Sequence, residues 1–249
     1  MKEKKSGFMR LDKFLVSQNV GSRKDSGLLV RRGRVRLNEK TEKNPAAKID
    51  PAVCVVWVDG KKVDYSQYTY IMLHKPGGVL SAARDSRAKT VLDLIPADMQ
   101  RRGLFPAGRL DKDTTGLLII TDDGDYAHKM LSPKKHVYKL YAAVTERAVT
   151  AADIEAFAEG VAWKDIAYAP AKLWQEEETA MVRIAEGKFH QVKRMFEATG
   201  NKVLKLHRKS IGALHLDPNL RAGECKSLHR EEAYLVFDSK MHENSTISF

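Results

Sequence analysis

The chain has 249 residues, 43% hydrophobic and 8% aromatic, enough apolar material for a sizeable core and enough length for one large domain or two unequal ones. No window reaches the roughly 18 apolar residues of a membrane helix, and the basic start MKEKKSGFMR has no apolar run behind it. The net charge is +11 and the two cysteines, Cys54 and Cys225, sit in no CxxC or Cys/His spacing, so the expectation is a soluble cytoplasmic protein with inert thiols and an attraction for polyanions rather than membranes.

Residues 1–8 read as a loosely ordered tail. In MRLDKFLVSQN the apolar residues Met9, Leu11, Phe14 and Leu15 recur at helical spacing, and Ser22 can cap a second short helix that Gly33 stops. VCVVWVDGKKV reads as a β-hairpin whose Asp59-Gly60 pair suits a type I′ turn. Residues 1–62 carry 16 Lys and Arg against 7 Asp and Glu, so nearly all of the net charge lies here. Arg10, Lys13, Arg23, Lys24, Arg31, Arg32, Arg34 and Arg36 are dense enough to meet the phosphates of a structured RNA. On MRLDKFL, RRGRVRLNEK and NPAAKI this segment, residues 9–62, resembles an S4 RNA-binding domain.

A change of composition at DYSQYTY predicts a linker over 63–68, with a second domain over 69–240 and another loose tail over 241–249. Strands are predicted in YIMLHKPGG, GLLIITDDG, HVYKLYAAV and TAMVRIAEG, mixed with helices in DYAHKMLS and TAADIEAFAEG. Thr150 with Asp153 forms a capping box for the latter helix, and Gly160 stops it. The fold class expected is α+β with a mixed, mostly antiparallel sheet.

GRLDKDTTGLLIITDDG and the residue after it hold five aspartates. Asp111, Asp113, Thr115, Gly116 and Asp122 have the spacing of an EF-hand loop, but the segment before them is broken by glycines and a proline and Leu117–Ile120 is an apolar strand, so no metal site is expected. Asp122, Asp123 and Asp125 suit the N-terminus of the next helix. Asp111 precedes a buried strand, two residues after Arg109, where a carboxylate can be held ionised in a cleft; by local sequence alone it is a turn aspartate bonding its own backbone. EGKFHQVKRMFEATGNKVLKLHRKSIG is a second basic segment, with Lys193 and Glu197 on one side of a helix over about 190–199 and Val192, Met195 and Phe196 toward the core.

GRLDKDTTGLLIITDDG, YKLY and EGKFHQVKRMFEATGN together resemble the sequence blocks of an RNA pseudouridine synthase of the RsuA class, whose members carry an N-terminal S4 domain. That resemblance implies Asp111 as the catalytic aspartate, Tyr138 as the active-site tyrosine, Lys193 as the cation paired with the aspartate and Arg109 as the residue that holds the displaced base. It implies RNA contacts at Lys188, His190, Arg194 and Arg208. It also implies that no cofactor is needed, and that a monomeric enzyme acts on ribosomal RNA in a partly assembled small-subunit particle. FHQVKRM and LHRKSIG look more like the small-subunit, 16S enzymes than the large-subunit ones. Without the family, a non-catalytic S4-type RNA-binding factor would share the charge asymmetry. A methyltransferase would need a Gly-rich strand-turn-helix, which is not found.

Overall fold

Residues 7–238 are described by the computed structural model; the tails expected at 1–8 and 241–249 fall, apart from Gly7 and Phe8, outside them. The chain divides into two units, residues 1–68 with 96–103, and residues 69–95 with 104–249.

The first unit runs β1 (Met9–Arg10), α1 (Leu11–Ser17), α2 (Arg23–Arg31), β2 (Val35–Leu37), β3 (Lys40–Glu42), β4 (Lys48–Ile49), β5 (Val56–Val58) and β6 (Lys61–Val63). Met9 departs from the helical reading. Its segment pairs antiparallel with β4, and the Leu11 and Asp12 amides bond the carbonyls of Ala47 and Pro45 at 2.8 and 2.9 Å, so the chain is extended until α1 begins. Ser22 caps α2 by accepting from the Asp25 amide, and Gly33, at φ +70°, ends that turn. A four-stranded sheet in the order β3-β2-β5-β6 closes through Asp59 and Gly60, both at positive φ as a type I′ turn requires. Leu11, Phe14, Leu15, Val30, Val35 and Val56 form its core. Residues 96–103 join this unit through bonds from Asn19 to the Asp98 carbonyl and from Arg101 to Ser66 and Gln67, a grouping that an unbroken second domain over 69–240 does not contain.

The second unit is a nine-stranded sheet flanked by helices. In chain order its elements are β7 (Tyr70–Lys75), β8 (Phe105–Ala107), β9 (Thr115–Thr121), α3 (Gly124–Leu131), β10 (Lys139–Thr145), α4 (Ala151–Glu159), β11 (Ala162–Trp163) and β12 (Ile166–Ala167). Then come β13 (Lys172–Glu176), β14 (Thr179–Ile184), α5 (Gln191–Ala198), β15 (Val203–Ile211), β16 (Leu214–His215), β17 (Cys225–Ser227) and α6 (Arg230–Tyr234). The main path is β13-β14-β10-β15-β9-β7-β17, antiparallel except where β9 runs parallel to β15. The fold class is therefore the expected one, mixed helices with a mostly antiparallel sheet.

β9 is central and buried on both faces, which is why Leu117–Ile120 reads as an unbroken apolar run instead of alternating. Its start needs glycine. Gly116 has φ +108°, and a Cβ there would lie 2.3 Å from the Arg208 carbonyl oxygen, so any side chain would push β9 off β15. α4 is held by the Thr150–Asp153 capping box and ends at Gly160.

Candidate active site

Residues 108–114 join β8 to β9 and are pinned by buried groups upstream. Lys75, the last residue of β7, is wholly buried. Its ammonium donates to the carbonyls of Pro76, Lys112 and Thr114 at 3.0, 3.2 and 2.9 Å, and burial pulls its pKa down to about 8 against the raising effect of Asp113 and Asp111. Ser81 donates to the Leu110 carbonyl at 2.8 Å and accepts from the Leu110 amide at 3.0 Å. The Thr114 amide bonds the Asp111 carbonyl at 3.1 Å and the Gly78 amide bonds that of Lys112 at 2.7 Å. This turn is built from backbone and from other side chains. The Asp111 carboxylate therefore projects away from it, half-buried, toward His190 and Lys193.

His190 Nε2 lies 3.5 Å from Asp111 and Lys193 Nζ 3.6 Å. Both come from the start of α5, where His190 takes the left-handed conformation at φ +54° and serves as the N-cap residue. Lys193 does not turn to Glu197. It donates to both oxygens of Asp113, at 2.6 and 2.8 Å, and this bond holds the exposed Asp113 carboxyl below its usual range. Asp111 is thus the second partner of Lys193. Val192, Met195 and Phe196 are buried as their spacing predicts.

Asp111 opens into a cavity of about 430 Å³ lined also by Arg109, Lys139, Tyr141, His190 and Arg208, a volume in the range of small-ligand sites. Arg109 stands exposed at the edge. Arg208 is not a surface cation: it is 4% exposed, with Nε donating to the Leu117 carbonyl at 2.8 Å and Nη1 to the Tyr141 hydroxyl at 3.4 Å, while Nη2 has no hydrogen-bond partner among the described residues. Lys139 is equally buried, and burial, with a smaller effect from Arg208, lowers its pKa to about 8.

Tyr138 is absent from this cavity. It precedes β10, its carbonyl accepts from Gly212 at 2.7 Å, and its ring lies 5.0 Å beneath the Arg183 guanidinium. Side chains alternate along a strand, so Lys139 and Tyr141 share a side and Tyr138 takes the other. The ring that faces Asp111's cavity is that of Tyr141. Period 2 counted from Lys139 was the signal in YKLY that separates the two tyrosines. Lys75, Ser81, Asp113 and Lys139 were also missed, because nothing local marks a buried lysine as the anchor of a loop 37 residues away.

The remaining aspartates sit at the opposite end of β9. Asp123 caps α3 by accepting from the Tyr126 amide at 3.0 Å, and accepts the Tyr70 hydroxyl at 2.6 Å. Asp122 accepts from the Thr69 amide at 2.6 Å, and Asp125 lies in the first turn of α3. The EF-hand spacing runs straight through β9 from its fifth position onward.

Of the other basic residues, Lys188 is exposed but tied to the Ala167 carbonyl at 2.7 Å and to Glu186 at 3.1 Å, and Arg194 stacks on Phe189 and Trp163. In the first unit Arg10, Lys13, Arg23, Lys24, Arg31, Arg32, Arg34 and Arg36 are all exposed. Arg10 is paired with Asp12 and Arg34 with Asp59, and Arg36 lies 5.6 Å from the Trp57 ring.

Comparison with known proteins gives matches along nearly the whole chain. Residues 69–198 match the family model described as RNA pseudouridylate synthase, and residues 9–52 match the S4 domain. An uncharacterized RNA pseudouridine synthase of Bacillus subtilis is 43% identical over 234 residues, covering 92% of this chain and 98% of the relative. Ribosomal small subunit pseudouridine synthase A of Vibrio cholerae is 40% identical, over 92% of this chain and all of the relative. The Escherichia coli K12 protein of that name is 39% identical, over 90% and 98%. A crystal structure of a pseudouridylate synthase is similar with a TM-score of 0.62 and 33% identity, over 92% of this chain and 99% of that one.

Proposed function

The chain belongs to the RNA pseudouridine synthase family, an isomerase acting on RNA, and from that premise we propose that Asp111 is the carboxylate that carries the reaction on a uridine of small-subunit ribosomal RNA. The target class follows the relatives named for the ribosomal small subunit. The observation that carries the residue assignment is the cavity that Asp111 lines together with His190 and Tyr141, with Lys193 Nζ 3.6 Å from the Asp111 carboxylate.

The isomerisation breaks the N1–C1′ bond, turns the uracil and joins C5 to C1′, with one proton leaving C5 and one added at N1. Atoms and electrons balance within the nucleotide, so no transferred group or redox partner enters. The reaction needs an ionised carboxylate at the sugar, as nucleophile at C1′ or base at C2′, and both routes begin from the same oxygen. Lys193 and His190 stand 3.6 and 3.5 Å from its oxygens. Tyr141 provides the aromatic wall for a base turned out of its stack, in the place the sequence assigned to Tyr138. The buried cations Lys139 and Arg208 face the polar edge of that base. A pocket that takes a flipped nucleotide needs its target unpaired and reachable, which favours a partly assembled particle. Exposed Lys13, Lys24, Arg31 and Arg32 supply phosphate contacts in the S4-like unit.

Asp111→Asn keeps the size of the side chain and removes its charge. Small-subunit rRNA incubated with this variant, labelled with carbodiimide and read by primer extension, is expected to contain no new pseudouridine, while RNA affinity stays within about two-fold of the parent. Full labelling by the variant would overturn the assignment.

A further inference from the structure

A run of aromatic and cationic groups begins at His190, which lines the cavity beside Asp111. Phe189 leaves 63% of its surface in solvent, which rules out a core role. Its ring lies 3.8 Å from the imidazole of His190 at an angle of 19°, and that imidazole is 3.5 Å from Asp111. Arg194, one turn into α5, sets its guanidinium 4.9 Å from the Phe189 ring and 4.6 Å from the Trp163 ring. Lys164 Nζ lies 4.4 Å from the same indole. Trp163 and Lys164 belong to the β11–β12 hairpin, so two separate segments converge on one exposed ladder.

The arrangement is held against cost. His190 keeps a left-handed backbone, at φ +54°, which residues other than glycine adopt under strain. Arg194 stacks on two rings and makes no ion pair with a carboxylate among the described residues. Single exposed apolar side chains need no explanation. This one is face-stacked on His190, carries the Arg194 guanidinium over its ring and adjoins the cavity residue His190.

We propose that Phe189, backed by His190 and flanked by Arg194 and Trp163, is a stacking subsite for the unpaired RNA base next to the target uridine, with Arg194 and Lys164 on its phosphates. A uridine turned into the cavity leaves its neighbour without a stacking partner, and Phe189, 63% exposed and next in the chain to the cavity residue His190, is an aromatic group within reach of it. Stacking of this kind accepts any base, so the ladder adds affinity and register without reading sequence. The proposal rests on the reading of the Asp111 cavity as the uridine site.

Two measurements on the full-length protein test it. An oligouridine decamer carrying one 2-aminopurine is expected to lose fluorescence on binding the unaltered protein. Phe189→Ala is expected to remove that quenching and weaken binding about 5- to 100-fold, and Phe189→Tyr to restore both. On small-subunit rRNA, Phe189→Ala is expected to raise KM by a similar factor with kcat within about two-fold. Absence of quenching by the unaltered protein, undiminished quenching by Phe189→Ala, or a loss confined to kcat overturns the subsite. An active Asp111→Asn protein would instead overturn the uridine-site reading, and the decamer measurement stands apart from that result.

Discussion

The two ends of β9 carry the same residue type in opposite employment. At the far end Asp123 is 3% exposed and its oxygens are taken by the Tyr126 amide and the Tyr70 hydroxyl. At the near end Asp111 has its backbone held by others and its carboxylate turned to a cavity, 3.5 and 3.6 Å from His190 and Lys193. A carboxylate whose lone pairs are filled by fixed donors stabilises the fold and has nothing left for chemistry. One with a lysine and a histidine at longer range, beside empty volume, has oxygens left free to act. The contrast lies in partners, since sequence alone gives every one of these aspartates a turn or cap to occupy.

The largest effect expected is at the near end. Asp111→Asn should lower turnover on the order of 10³-fold or more with an unchanged unfolding midpoint, whereas Asp123→Asn should leave turnover within about two-fold. Equal losses of turnover from the two variants would break the contrast.

Lys75→Met comes next, because it removes the anchor of the Asp111 loop without touching the cavity. A misplacement of about 1 Å costs roughly 100-fold in rate, so kcat should fall by that order, with a stability loss of about 2–3 kcal/mol from carbonyls left unpaired. Loss of stability at unchanged kcat would show that the loop holds itself.

Asp123→Ala should act on stability alone. Losing a helix cap costs about 1 kcal/mol and leaving the Tyr70 hydroxyl buried without its acceptor about 1–3 kcal/mol, so denaturant unfolding should report about 2–4 kcal/mol. Asp122→Asn, which weakens the bond from the Thr69 amide, should cost about 1 kcal/mol.

The pH dependence sharpens the near end further. Burial lowers Lys139 from 10.5 to about 8. Between about pH 8 and 10.5 the unfolded chain therefore binds the proton that the folded chain has lost, and this lysine's contribution to stability rises with pH. The cavity loses a cation over the same window, so kcat/KM should decline as pH passes 8 while the protein becomes harder to unfold. Lys139→Arg keeps the charge and should remove most of that decline, the residue belonging to Lys75, which is lowered to the same value. A decline identical in the parent and Lys139→Arg would exclude Lys139 as its source.

Much of this was readable in the sequence. The Thr150–Asp153 capping box, the Asp59-Gly60 turn and the buried run Leu117–Ile120 are fixed by interactions within a few residues, and each forms as its pattern predicts. The mostly antiparallel α+β class follows from such elements in sum, and the blocks around Asp111 and Lys193 carry the family. Tertiary structure decided what those elements hold in common. It set Tyr141 in the cavity and Tyr138 outside it, turned Arg208 inward, gave Lys193 to Asp113 across 80 residues of chain, and grouped residues 96–103 with the first unit. Propensity and periodicity record the energies of near neighbours. Which tyrosine meets a carboxylate, and which lysine is buried to hold a loop, depends on strands that come together only when the sheet closes, and on a desolvation cost that exists only once they have.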